Sequence, residues 1–101
     1  MKEANMTVTR KFEIADYLDD PEAMLEYLEL AIEDENPDVF ITALGHVAKA
    51  RGMSQIAELS GLGRESLYKG LKSGSKLRYQ TVQKVVNALG FRLSLERNDA
   101  A

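Results

Sequence analysis

Residues 53–72, MSQIAELSGLGRESLYKGLK, predict two short helices that cross at a tight turn. Ala57 is small enough to lie where two helices cross closely, and Gly61, four residues later, can adopt the positive φ that ends the first helix. Leu62 and Leu67 then fix the second helix to the core. The spacing is typical of a helix-turn-helix, so binding to duplex DNA is the first hypothesis.

The second helix of this motif has a polar face that is available to bind in the groove of a DNA duplex. Leu67 and Leu71 lie on one side of a helical wheel, and polar residues lie on the other. The residues expected to reach base edges are Arg64, Glu65, Tyr68 and Lys69, and Ser66 belongs to the same DNA-binding face. The residues expected to contact the phosphate backbone are Ser54, Gln55, Lys72, Ser73, Lys76 and Arg78. Each lone basic side chain has an alternative interpretation as a solvated residue, and Tyr68 has one as a cover for the core edge.

Charge divides the chain into two parts. The net charge of the 101 residues is −3, which is unusual for a DNA-binding protein. Residues 1–38 carry three basic against twelve acidic residues, a net charge of −9, whereas residues 39–101 carry ten against four, a net charge of +6. The positive excess surrounds the motif and can neutralise phosphates, while the acidic part is expected to face away from DNA.

Length and composition predict one small cytoplasmic domain without a membrane span. The chain has no cysteine, and its opening residues lack the apolar run of a secretory signal. His46 is the sole histidine, so a histidine metal cluster or a Ser/His/Asp triad has no anchor. We therefore expect no enzymatic activity, no metal and no cofactor, and a structural role for His46.

Start and stop signals predict an all-α domain of five helices. Asp20-Pro21 and Asn36-Pro37 each place a capping residue before a proline, which predicts helices over residues 21–34 and 37–50. Ser54 is expected to cap the first helix of the motif. The core positions of the two leading helices are Met24, Leu25, Leu28, Ile32, Phe40, Leu44, Val47 and Ala48. Val82, Val85, Val86 and Leu89 predict the fifth helix, ending at Gly90.

The two ends of the chain differ from this helical part. Residues 1–20 are expected to form an extended segment and residues 98–101 a tail, leaving residues 21–97 as the domain. Phe91, Leu93 and Leu95 alternate with polar residues, which predicts a short C-terminal β-strand. Because a lone strand leaves backbone groups unpaired, it should pair with residues 8–14 or with the same strand of a second subunit. These three apolar residues are thus the candidate interface of a homodimer.

Residues 16–95 resemble a known family, the Xre-type helix-turn-helix antitoxins and specifically the HigA-like probable addiction module antidote proteins. The resemblance rests above all on ALGHVAKARGMSQIAE, RESLYKGL and VNALGFRLSL. It implies a phage-repressor-like dimer that neutralises a RelE/ParE-like toxin and represses its own operon through operator DNA. One position departs from the usual pattern, since Gly63 stands where relatives carry a Ser or Thr cap, at a cost of a few tenths of a kcal/mol.

The resemblance also implies that the toxin is the partner of the acidic residues 1–38. Toxins of this type are generally basic, so Glu26, Glu29 and Glu33 on the first helix are candidate toxin contacts. Phe12 and Tyr17 are alternative anchors, although both are equally compatible with packing on the chain's own core. Two other interpretations stay open: a stand-alone phage-repressor-like regulator, and an interaction module whose motif no longer binds DNA.

Overall fold

The structure is a computed structural model that describes residues 14–72 and 76–99, and these form five α-helices after one turn of 3-10 helix. The 3-10 turn is Ile14–Tyr17, so the prediction of an extended segment is wrong for these four residues. The helices are α1 (Pro21–Ile32), α2 (Pro37–Arg51), α3 (Met53–Ser60), α4 (Arg64–Gly70) and α5 (Tyr79–Ala88). The prediction of an all-α domain with five helices is confirmed. No described helix is long and apolar enough to cross a membrane.

The starts of α1 and α2 follow from their capping residues. The Asp20 carboxylate accepts a hydrogen bond of 2.8 Å from the Ala23 amide, and the Asn36 side-chain oxygen accepts one of 2.9 Å from the Asp38 amide. Each helix then begins with a proline, whose missing N–H has no helical partner in the first turn. Both predicted start signals are confirmed.

Glycine sets the junction between α2 and α3. Gly52 has φ of 111°, so it ends α2 and at the same time precedes the first residue of α3. The prediction that Ser54 caps this helix is therefore wrong. Because α3 starts directly after Gly52, Ser54 lies inside the first helical turn, where its side chain cannot act as the N-cap.

The core forms around α2, which packs against α1, α3 and α5. Leu44, Val47, Ile56 and Val85 lie at its centre and are fully buried. The expected burial of α1 is only partly correct. Its buried side consists of Met24, Leu28 and Ala31, whereas Leu25 and Ile32 are 39% and 49% exposed and Phe40 on α2 is half-buried. The inward stripe of α1 is thus rotated relative to the predicted one.

The predicted C-terminal β-strand is absent from the single chain in the part that the structure describes, where residues 91–98 form no strand. A strand needs a second strand as its backbone partner, and residues 14–72 and 76–99 of a single chain contain no strand. Ile14 lies in the 3-10 turn, and the rest of the proposed intramolecular partner, residues 8–13, lies outside the described residues. The alternating burial persists only as far as Leu93.

Candidate nucleic-acid and partner interfaces

The turn between α3 and α4 is closed by two backbone hydrogen bonds. The Gly61 amide donates to the Glu58 carbonyl at 3.3 Å, and the Leu62 amide donates to the Ala57 carbonyl at 3.1 Å. This pair of bonds is a Schellman motif, which requires a left-handed residue, and Gly61 has φ of 76°. The predicted role of Gly61 is therefore confirmed, and Ala57 is buried as expected.

Helix α4 presents polar side chains to solvent. It starts after Gly63, which has no side chain to cap the helix. Leu67 is its buried residue, and Leu71, directly after the helix, is buried as well. The predicted base-reading residues Arg64, Glu65, Tyr68 and Lys69 are all exposed, and so is Ser66 on the same face. The guanidinium carbon of Arg64 lies 5.7 Å from the centre of the Tyr68 ring, within range of a cation–π contact. These two side chains therefore lie next to each other on the outer surface of α4.

The predicted phosphate contacts flank α4 on both sides. Ser54 and Gln55 are exposed in the first turn of α3. Lys72, Lys76 and Arg78 are exposed after α4, and Arg78 immediately precedes α5. Ser73 lies outside the described residues. Every described member of the predicted DNA-binding set is thus accessible, and basic side chains follow the exposed face of α4 along the chain.

Two glycines missed by the sequence analysis hold the end of α4 close to its neighbours. A Cβ on Gly45 of α2 would lie 3.1 Å from the Leu71 carbonyl oxygen, and one on Gly70 would lie 2.7 Å from Cδ2 of Leu77. A larger residue at Gly45 would press on the backbone of Leu71, whereas one at Gly70 would displace only the end of the Leu77 side chain. The sequence signal for both was a glycine inside a helical pattern, which often marks a close approach.

The acidic surface of α1 surrounds an exposed leucine. Glu26, Glu29, Leu30 and Glu33 line a shallow surface pocket of about 310 Å³. Leu30 is 75% exposed, and the sequence analysis missed it because it lies off the apolar stripe. The structure thus brings the three predicted toxin contacts together. Tyr17 is exposed at the end of the 3-10 turn, and Phe12 lies outside the described residues.

Two of the three candidate dimer residues, Phe91 and Leu93, border a second groove. Phe91 and Leu93 are half-buried against the core, whereas Leu95 is 99% exposed. The groove has a volume of about 180 Å³, and its apolar wall consists of Leu25, Leu28, Ile32, Phe40, Val86, Phe91 and Leu93. Its polar edge consists of Glu29, Arg92, Ser94 and Glu96. Leu25 and Ile32, which the sequence placed in the core, are exposed here instead.

His46 takes part in a contact between α1 and α2. Its Nδ1 shares a hydrogen bond of 2.6 Å with the Tyr27 hydroxyl, and the two ring centres are 5.9 Å apart. Partial burial raises the pKa of the Tyr27 phenol. This geometry agrees with the structural role expected for His46.

Comparison with known proteins identifies the family. The family model for probable addiction module antidote proteins matches residues 8–97, nearly the whole chain. The chain belongs to this antidote family. An uncharacterized protein of Haemophilus influenzae is 35% identical over 89 residues, which cover 88% of this chain and 92% of the relative. No solved structure matches the chain. An antidote of an addiction module implies a cognate toxin as partner.

Proposed function

We propose that this antidote protein is the antitoxin of a type II toxin–antitoxin module. It binds and neutralises a RelE/ParE-like toxin in the cytoplasm, and as a homodimer it represses its own operon by binding operator DNA. In this proposal the protein is a HigA-like, Xre-type regulator with a phage-repressor-like helix-turn-helix made of α3 and α4.

The observation that carries the DNA-binding part is the exposed face of α4 after a glycine-closed turn. Leu67 and Leu71 hold this region to the core. The exposed side chains of α4 can therefore enter a major groove while the helix stays packed; these are Arg64, Glu65, Ser66, Tyr68 and Lys69. Arg64 can donate two hydrogen bonds to guanine, and Glu65 can accept one from cytosine. Tyr68 supports the Arg64 guanidinium from one side. Basic residues beside α4 then neutralise phosphates.

The acidic pocket on α1 supports the toxin-binding part. Three carboxylates around one exposed leucine combine charge with a central apolar contact, which suits a basic partner surface. Helix α1 packs mainly on α2, whereas α4 packs mainly on α3. In this proposal the two surfaces lie on different helices, and the protein binds toxin and operator at the same time.

Co-expression with the protein encoded by the adjacent reading frame tests the toxin-binding part. We expect the antidote protein to restore growth and to co-purify with that protein. The triple variant Glu26→Lys, Glu29→Lys, Glu33→Lys should lose both effects. The matched control Asp19→Lys, Glu22→Lys, Glu35→Lys changes the net charge equally at exposed positions outside the pocket and should keep both. Unchanged toxin binding by the pocket variant would contradict the assignment of this surface.

Gel shifts with the upstream operator test the DNA-binding part. We expect tight binding to the operator, weaker binding to a scrambled duplex, and loss of affinity as salt rises. Operator binding without any toxin partner would favour the stand-alone regulator. Toxin binding without operator binding would favour the interaction module.

A further inference from the structure

The C-terminal segment carries a self-complementary sequence, Phe91-Arg92-Leu93-Ser94-Leu95-Glu96-Arg97. When two copies run antiparallel with Ser94 opposite Ser94, Arg92 of each copy faces Glu96 of the other, and Leu93 faces Leu95. Opposite charges and apolar pairs are the favourable cross-strand neighbours of an antiparallel ladder. Shifting the register by two residues places either Arg92 opposite Ser94 or Ser94 opposite Glu96, and it loses both charge pairs.

The structure leaves room for this pairing. Leu95 is 99% exposed, so nothing in the described part of its own chain covers it. Leu93, its partner in the proposed register, borders the groove of about 180 Å³ between α1 and the C-terminal segment. Side chains opposite each other in a ladder lie on the same face of the sheet. Leu95 of a second copy therefore falls beside Leu93, over the apolar wall formed by Leu25, Ile32 and Phe40.

We propose that residues 91–97 of two copies form a two-stranded antiparallel sheet centred on Ser94, in which Leu95 of each copy fills the groove beside α1 of the other. This inference rests on the homodimer of the proposed function, and it names the surface and the register. It also explains why the predicted strand is missing from a single chain, because the partner that completes it is the second copy.

A cysteine placed on the two-fold axis tests the register. The chain has no cysteine, so Ser94→Cys introduces a single thiol per copy at an exposed position. Residues directly opposite in a ladder have Cα atoms about 4.5–5.5 Å apart, within the range that a disulfide spans. The matched control is Arg97→Cys, which is also exposed. In this register residue 97 of one copy faces residue 91 of the other, so the two cysteines would lie about 20 Å apart at 3.4 Å per residue.

We expect Ser94→Cys to form a covalent dimer nearly completely under mild oxidation and Arg97→Cys to form almost none. Equal crosslinking of the two variants, in a protein that light scattering shows to be dimeric, would overturn the register while leaving the homodimer intact. A monomer at every concentration that still neutralises toxin and binds operator would overturn both the register and the homodimer, but not the antitoxin assignment.

Substitutions at Arg92, Glu96 and Leu95 provide a second test, in which the dissociation constant of the dimer is measured. Arg92→Glu should weaken the dimer roughly tenfold by removing two cross-strand pairs, and the double variant Arg92→Glu, Glu96→Arg should restore it. Leu95→Ser should raise the dissociation constant further without lowering the stability of the monomer, since Leu95 has no intramolecular cover among the described residues. Loss of toxin capture by Leu95→Ser with no change in dimerisation would assign the groove to the toxin instead and overturn the proposal.

Discussion

The Arg51 guanidinium at the end of α2 donates a hydrogen bond of 3.2 Å from Nη1 to the Leu89 carbonyl, directly after α5. This bond joins the ends of two helices that are 38 residues apart in sequence. The last carbonyls of a helix have no partner within the helix, so a partly buried cation is well placed to satisfy one of them. The contact therefore fixes α5, and the segment after it, relative to the rest of the core.

Replacing Arg51 by methionine should lower the free energy of unfolding by about 1–2 kcal/mol, because the Leu89 carbonyl loses a charge-assisted bond in a partly buried place. Urea titration followed by circular dichroism measures the change. The control is Arg97→Met, an exposed arginine, which should stay within about 0.5 kcal/mol of the wild type. A loss at Arg51 no larger than that of the control would show that the bond contributes nothing.

The two glycines around the α3–α4 turn should respond in opposite directions. Gly61→Ala should destabilise the chain by about 1–2 kcal/mol, because φ of 76° is costly for a residue with a Cβ even where the space is open. Gly63→Ser should stabilise it by a few tenths of a kcal/mol, because φ of −69° suits any residue and the hydroxyl adds a cap. Urea titrations of both variants measure the difference. Destabilisation by Gly63→Ser would contradict the capping geometry.

Tyr27 should make stability depend on pH at the alkaline end. Burial raises the pKa of its phenol above the ordinary value of 10.0, so the folded chain holds the proton more tightly than the unfolded chain. The resulting stabilisation is complete below that value and is lost as pH rises through the higher pKa of the folded state. In urea titrations at a series of pH values, Tyr27→Phe should show a smaller alkaline loss than the wild type. Identical curves would show that Tyr27 does not contribute.

How much of this arrangement was predictable from sequence depends on the range of the forces involved. Helix starts and ends that depend on neighbouring residues were predicted correctly. Asp20-Pro21, Asn36-Pro37 and Gly61 act within one helical turn, and each helix starts or ends where expected. The misplaced cap at Ser54 is the exception. The sequence has a signal for the end of α2 at Gly52 and one for the start of α3 at Ser54, only two residues later. In the structure Gly52 is both the C-cap of α2 and the N-cap of α3, so Ser54 is not needed as a cap.

Features that depend on tertiary contacts were harder to predict. Leu25, Leu28 and Ile32 all lie on the predicted apolar stripe, and only the orientation of α1 on α2 decides that Leu28 is buried while the other two are exposed. The closeness of Gly45 to Leu71 needs the whole fold. The strand over residues 91–96 was inferred from alternation alone, which cannot supply the backbone partner that a strand needs. The surface of α4 was predicted correctly because its polar face follows from the period of a single helix.

Leu30 should be the centre of the toxin contact. Leu30→Ala should weaken toxin binding by about 2 kcal/mol or more, as expected for an apolar anchor surrounded by charge. The free energy of unfolding should barely change, because the side chain is 75% exposed. Calorimetric titration with purified toxin measures the affinity, and Leu59→Ala on α3 is the control because it removes another exposed leucine away from the pocket. Equal affinities of the two variants would place the toxin elsewhere.

Arg64 should contribute sequence preference as well as affinity. Arg64→Ala should weaken operator binding by about 1–3 kcal/mol and affect a scrambled duplex much less, if the guanidinium reads a base. Arg64→Lys should restore little, since lysine lacks the planar pair of donors. Fluorescence anisotropy titrations on the two duplexes separate the cases. Equal losses on both would make Arg64 a phosphate contact.

The separation of the two binding surfaces is tested most directly by capturing toxin on operator DNA. Immobilised operator is incubated with antidote protein and toxin, and both retained proteins are quantified. We predict that the wild type retains both and that Glu26→Gln, Glu29→Gln, Glu33→Gln retains only the antidote protein. Arg64→Ala should retain little of either, although it still binds toxin in solution. Retention of toxin by the triple variant, or failure of the wild type to bind the operator, would contradict the account.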